Sequence, residues 1–232
     1  MSIVVESSLP SPTTETTFLN AVNEVQKRLR ETQTAAYNTS TYSTLIASFV
    51  NQAKREVEDA WNWSFLRQNV TVSTISGTSQ YTLTGTNARS RLFGAREVYD
   101  DTNNTVLREV SDQIFDRDNY LATAQSGNPV WFRFRGVSSG AKQVDLFPTP
   151  NGSFTIYFPM IIPQADLTSD STTITVPAHP VIMRAYALAI SERGEDGGMS
   201  YAEADDMARQ SLADAIAQDS AQFYGELVWD AC

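Results

Sequence analysis

The chain has 232 residues, 41% hydrophobic and 10% aromatic, enough for one large domain or two small ones with a buried core. Acidic residues outnumber basic ones 27 to 17, a formal charge of −10, which argues against sequence-independent affinity for DNA, because that needs Lys and Arg to displace phosphate counterions. The single cysteine, Cys232, excludes an intrachain disulfide and a thiolate metal site, and no run approaches the roughly 20 apolar residues of a spanning helix.

Residues 1–15 are polar, contain Pro10 and Pro12, and read as a flexible N-terminal arm. They lack the basic start and apolar core of a signal peptide, so synthesis in a reducing cytoplasm is expected. Over 16–31, Phe18, Val22, Val25 and Leu29 fall on one helical face. After a polar link at 32–40, a second helix over 41–61 buries Tyr42, Leu45, Ile46, Phe49, Val50, Ala53, Val57 and Ala60. The short link suggests an antiparallel hairpin of helices.

At 66 the apolar period falls from 3.6 to 2. Leu66, Val70 and Val72 alternate with polar residues, and further strands are expected at 80–84, 91–99, 105–110, 130–135, 142–147 and 154–162. A short helix capped by Ser111 breaks the series at 111–121. Strands at this spacing predict an antiparallel sandwich or barrel-like module. A polar loop over 164–177 follows. Pro180 then suits the first turn of a third long helix that ends near Gly194 or near Gly197 and Gly198. Ser200 and Glu203 form a capping box for a fourth helix from Tyr201. The expected fold class is α+β, a four-helix bundle with an inserted β module. Its parts are an arm at 1–15, helices at 16–65 and 178–222, the insert at 66–177, and a tail at 223–232.

Several groups of residues invite a function. Trp61, Trp63 and Phe65 mark the junction of helix and sheet. They can form an exposed binding patch, but filling the core at that junction is the favoured reading. Trp131, Phe132, Arg133, Phe134 and Arg135 interleave aromatic and basic side chains, as a nucleic-acid stacking platform does. The plainer reading turns Phe132 and Phe134 inward and the arginines outward. Asp100, Asp101, Asn103 and Asn104 are rich in oxygen but lack the EF-hand spacing, and Asx residues favour turns unaided. His179, the single histidine, reads as structural. No nucleotide-binding glycine motif is present, and no metal or cofactor is expected. A pair of carboxylates for glycoside hydrolysis cannot be picked out of 27.

From Val181 onward there are 10 acidic and 3 basic residues. This acidic end closes on Phe223, Tyr224, Leu227, Val228 and Trp229. Those residues either fold back on the chain's own helices or dock into a partner.

Three segments together resemble one known family: EDAWNWSFLRQNVTV at 58–72, GNPVWFRFRG at 127–136 and VDLFPTPNGSFTIYF at 144–158. The family is the head-to-tail adaptors of tailed bacteriophages, including the tail tubular protein A type of short-tailed phages. The resemblance covers about 16–225. It implies a non-enzymatic virion protein of the neck, made in the host cytoplasm. It also implies a ring, typically of twelve copies, between the portal protein and the tail tube or nozzle protein. Double-stranded DNA would pass through without specific binding, and no membrane is involved. Portal docking is expected at Phe223, Tyr224, Leu227, Val228 and Trp229, and a neighbour contact at 1–15. The alternatives are a tail-associated peptidoglycan hydrolase and a nucleic-acid-binding module built on Arg133 and Arg135.

Overall fold

The computed structural model describes residues 16–93, 97–120, 125–194 and 200–221. They divide into two compact units, one drawn from Met1–Trp61 and Ala165–Cys232, the other from Asn62–Gln164. Five α-helices occur among the described residues: α1 (Phe18–Arg28), α2 (Thr41–Ala60), α3 (Asp112–Tyr120), α4 (Ala178–Arg193) and α5 (Tyr201–Ser220). All but α3 belong to the first unit.

In the first unit the helix ends follow the capping chemistry. Thr17 accepts from the Asn20 N–H, and Lys27 and Arg28 sit in the last turn of α1, where the helix dipole favours them. Ser40 and Ser43 make a reciprocal capping box for α2, and Ser200 and Glu203 make one for α5. Gly194 closes α4 with φ +60°, a conformation that glycine adopts without penalty. Phe18, Ala21, Val22 and Val25 of α1 and Ile46, Val50, Ala53 and Val57 of α2 point into the core.

Helix α4 is buried on nearly every side, through Val181, Ile182, Met183, Ala185, Ala187, Ala189 and Ile190. A helix without a polar face belongs in the middle of its neighbours, and α4 packs against α1, α2 and α5. Helix α5 buries only Ala204, Asp205, Ala208 and Asp219 and packs mainly on α4. The four helices are thus gathered around α4, instead of forming a square in which each touches two neighbours.

The sequence grouped 165–177 with the β insert, but in the structure this run packs on the helices. Leu167, Ile174 and Val176 are buried. The Asn51 side chain donates to the Leu167 carbonyl at 3.0 Å and accepts its N–H at 2.8 Å. Thr17 and Thr173 form an isolated antiparallel bridge. Three apolar anchors in a polar run leave no periodic signal, so the sequence hides them.

The second unit holds β1 (Arg67–Ser73), β2 (Gln80–Thr82), β3 (Arg91–Leu92), β4 (Glu97–Asp100), β5 (Thr105–Glu109), β6 (Ser126–Gly127), β7 (Trp131–Ser138), β8 (Ala141–Phe147), β9 (Thr149–Pro150) and β10 (Thr155–Ile161). The main sheet runs β1-β10-β4-β5-β7-β8-β2, with β3 also on β10. Its two end strands are consecutive in the chain. Laid flat, the six gaps of that path would span ~29 Å. The connection from Ser73 to Gln80 reaches about 25 Å at full stretch, and it is bent, with Gly77 at φ +83°. The sheet must therefore curl, and it forms a nearly closed barrel. Its interior is Val70, Val72, Leu83, Val98, Leu107, Phe132, Val144, Leu146, Ile156, Phe158 and Met160.

Pairing in the main sheet is antiparallel except between β5 and β7, and the small β6–β9 pair is also parallel. Parallel neighbours need a crossover, and α3 lies in the one between β5 and β7. The single strand expected at 91–99 is two strands, β3 and β4, both laid along β10.

Candidate interaction surfaces

The junction residues do three different things. Trp61 leaves α2 in an extended conformation and donates from Nε1 to Asp219 Oδ2 at 3.0 Å, tying the end of α2 to the last turn of α5. Trp63 is fully buried. Phe65 lies in a single 3₁₀ turn, Ser64–Leu66, and stacks on Trp63 with ring centroids 5.7 Å apart. It is 46% exposed, so one of the three expected core aromatics is on the surface. The junction is a 3₁₀ turn that buries Trp63 and Leu66 and leaves Phe65 between them facing outward, so the rule that junction aromatics fill the core fails for this residue.

On β7, Phe132 is in the barrel core and Phe134 packs against it, while Arg133 lies on the other face. Arg133 bonds Asp116 at 2.6 Å and Asp145 at 3.1 Å. Its guanidinium also lies 4.3 Å from the centre of the Phe115 ring. Burial works against its charge, but the bonds to Asp116 and Asp145 outweigh it and raise its pKa. Its charge is therefore spent within the fold, pinning α3 onto the sheet, and the nucleic-acid platform keeps only Arg135, which is exposed and lies 3.9 Å from Asp145. Trp131 stacks on Phe147 at 5.7 Å on the same outer face.

The oxygen-rich turn serves itself. The buried Asp100 carboxylate accepts from the Thr102 and Asn103 N–H groups and from Asn103 Nδ2, which is an Asx turn. No group of His, Cys, Asp and Glu among the described residues is arranged to hold a metal. His179 Nδ1 lies 2.6 Å from Ser211 Oγ, joining α4 to α5. The shallow cleft beside them is lined by Arg28, Met183, Met207, Gln210 and Asp214. A second cleft, beside Tyr42 and Arg193, is lined by one carboxylate, Glu31. Each cleft thus offers a single carboxylate, which gives the two-carboxylate hydrolase no support.

Sequence reasoning missed a charged lattice between the helices. Arg184 donates from Nε to Glu56 of α2 at 2.6 Å and from Nη1 to Asp205 of α5. Asp205 also accepts from Arg209 at 2.8 Å. Burial opposes the Arg184 charge, yet its bonds to Glu56 and Tyr201 and the nearby Asp205 carry its pKa above the usual guanidinium value. Arg193 pairs with Glu31 across the helices. A lone Arg184 between Met183 and Ala185 in an otherwise apolar helix was the available signal, since a charge there needs partners. All three basic residues of the acidic end are thus paired. Asp206 and Asp214 on α5 are exposed and have no basic partner among the described residues. Phe223, Tyr224, Leu227, Val228 and Trp229 lie outside the described residues.

A family model described as SU10 adaptor protein matches residues 16–229. The chain belongs to the SU10 adaptor protein family. The match spans both compact units, so the helical unit and the curled sheet are together the family's body, and residues 1–15 fall outside it. No curated protein matches the chain in sequence. As an SU10 adaptor the chain is a phage structural protein, a role that implies portal and tail components as its contacts and the virion neck as its place.

Proposed function

We propose that this SU10 adaptor forms a ring, of about twelve copies by the resemblance to head-to-tail adaptors, beneath the portal protein of a tailed phage. The ring continues the DNA channel and receives the tail tube or nozzle protein, as the tail tubular protein A type does in short-tailed phages. The observation that carries this reading is the family match over both units. The charge distribution supports it. A net charge of −10, with Asp206 and Asp214 unpaired on an outer helix, favours a surface that repels phosphate and lets DNA slide past.

In this reading Phe223, Tyr224, Leu227, Val228 and Trp229 dock into the portal, and residues 1–15 contact a neighbouring copy. A chain ending at Gln222 is expected to keep its circular dichroism spectrum and to lose co-sedimentation with purified portal. A truncated chain that still assembles on the portal contradicts the assignment of the tail.

A further inference from the structure

The curled sheet of the second unit has an open seam. Strands β1 and β2 end the strand path and do not pair with each other. The direction of the β1 backbone follows from its register. The Phe93 N–H donates to the Pro159 carbonyl at 2.9 Å, so that carbonyl points away from β1. In an extended strand the N–H and C=O of one residue share a side, so Asn69 and Pro159 form a non-hydrogen-bonded pair. The ladder bonds to β10 then come from Gln68, Val70 and Val72. The Thr74 N–H to Phe154 and the Ile162 N–H to the Leu66 carbonyl, each at 2.9 Å, continue that series at both ends.

Asn69, Thr71 and Ser73 therefore aim their N–H and C=O groups into the seam, and no described residue supplies a partner. Across the seam, the Leu146 N–H bonds Ser79 and the Leu83 N–H bonds Lys142, both at 2.8 Å. By the same alternation Gln80 and Thr82 face the seam from the β2 side. Strand β1 has seven residues, no bulge, no Pro and no Lys, and its one charged residue, Arg67, stands at its first position, so from Gln68 to Ser73 it carries none of the devices that protect an edge from pairing with another chain. Its inward residues at the seam are Val70 and Val72.

One segment outside the described residues suits that edge. Ile3, Val4 and Val5 are three consecutive β-branched residues, the type that favours strands. Pro10 and Pro12 follow and would end a strand and extend the chain beyond it. The ten residues from Glu6 to the start of the described chain can reach ~35 Å. We infer that residues 3–5 of one copy add as a strand to β1 of a second copy and fill the seam. This rests on the reading that residues 1–15 contact a neighbour. Backbone bonds to Asn69, Thr71 and Ser73 supply the affinity, and alternate apolar side chains cover Val70 and Val72.

The test is amide hydrogen exchange on the full chain, at a concentration where it self-associates, against a Val4→Pro chain. The amides of Asn69, Thr71 and Ser73 are expected to exchange about tenfold or more slowly in the unaltered chain. The difference should vanish on dilution to monomer. In a Cys232→Ser background, a Val4→Cys chain mixed with a differently tagged Thr71→Cys chain should form a disulfide between the two tags. Equal exchange in both chains overturns the inference. So does protection that survives dilution, which would place a chain's own arm in its own seam. Deleting residues 2–15 separates the two claims. If self-association is lost but exchange at the three amides is unchanged, strand addition fails and the neighbour contact stands. If self-association persists, both fail.

Discussion

Lys54 and Glu58 show how a single pair disciplines the helical unit. Both side chains are fully buried and 3.1 Å apart, one turn apart on α2, and Lys54 also donates to the Ala165 carbonyl at 2.9 Å. Removing Lys54 deprives the buried Glu58 carboxylate of the ammonium bonded to it at 3.1 Å, a loss that is costly in a dry site. Lys54→Met is expected to cost about 3–5 kcal/mol, whereas Lys54→Met with Glu58→Leu should recover most of it. Urea denaturation followed by circular dichroism checks both. A harmless single substitution would show that the pair is not held in a dry site.

Glu203 carries a pH-dependent effect of known sign. Its carboxylate accepts the Ser200 N–H at 2.9 Å and the Ser200 hydroxyl at 3.0 Å, and the backbone bond is the main reason that its pKa lies below the ordinary carboxylate value. A depressed folded pKa means that the stabilisation is present above the unfolded pKa and disappears as pH falls through the folded one. The first turn of α5 should therefore open in acid before the rest of the helix. Hydrogen exchange at residues 201–204, compared at neutral pH and near pH 3, measures it. Uniform exchange along α5 in acid would contradict the capping role.

At the scale of elements, what was legible in the sequence was what depends on neighbours in the chain. The Ser200–Glu203 box placed the start of α5, the glycines at 194 and 197–198 left two possible ends for α4, of which Gly194 is the observed one, and alternation placed Phe132 and Phe134 inside. What was not legible depends on distant partners. Nothing local in Thr105–Glu109 says that it lies parallel to β7, because parallel pairing is decided by where α3 delivers the chain. Nothing local says that Leu167 and Ile174 anchor a polar run on the helices. The lattice around Arg184 belongs to the same class, and it decides how firmly α5 is held. Helix α5 buries little, so its attachment leans on the Arg184–Asp205 pair with α4 and on the Trp61–Asp219 bond with the end of α2. Arg184→Met is expected to speed amide exchange throughout α5 several-fold while leaving the middle of α2 near its original rate. Equal acceleration in both helices would show that α5 is not a separately held layer.

At the scale of the whole molecule, the described parts suit a spacer. One unit is braced by internal ion pairs around a buried helix, and the other is a curled sheet with an open seam. The surplus of negative charge gives little grip on a polyanion. The candidate docking residues 223–229 were found from composition alone, as an apolar cluster closing an acidic stretch, and the open edge of β1 only from strand order and register. The proposed ring at the phage neck is open to direct observation. A localised cryo-electron microscopy reconstruction of the neck in purified virions tests it most directly. A ring is expected below the portal and above the tail, into which the helical unit and the curled sheet both fit, with an open channel for DNA. Virions whose neck density holds no such subunit, or from which the chain is missing, would contradict it.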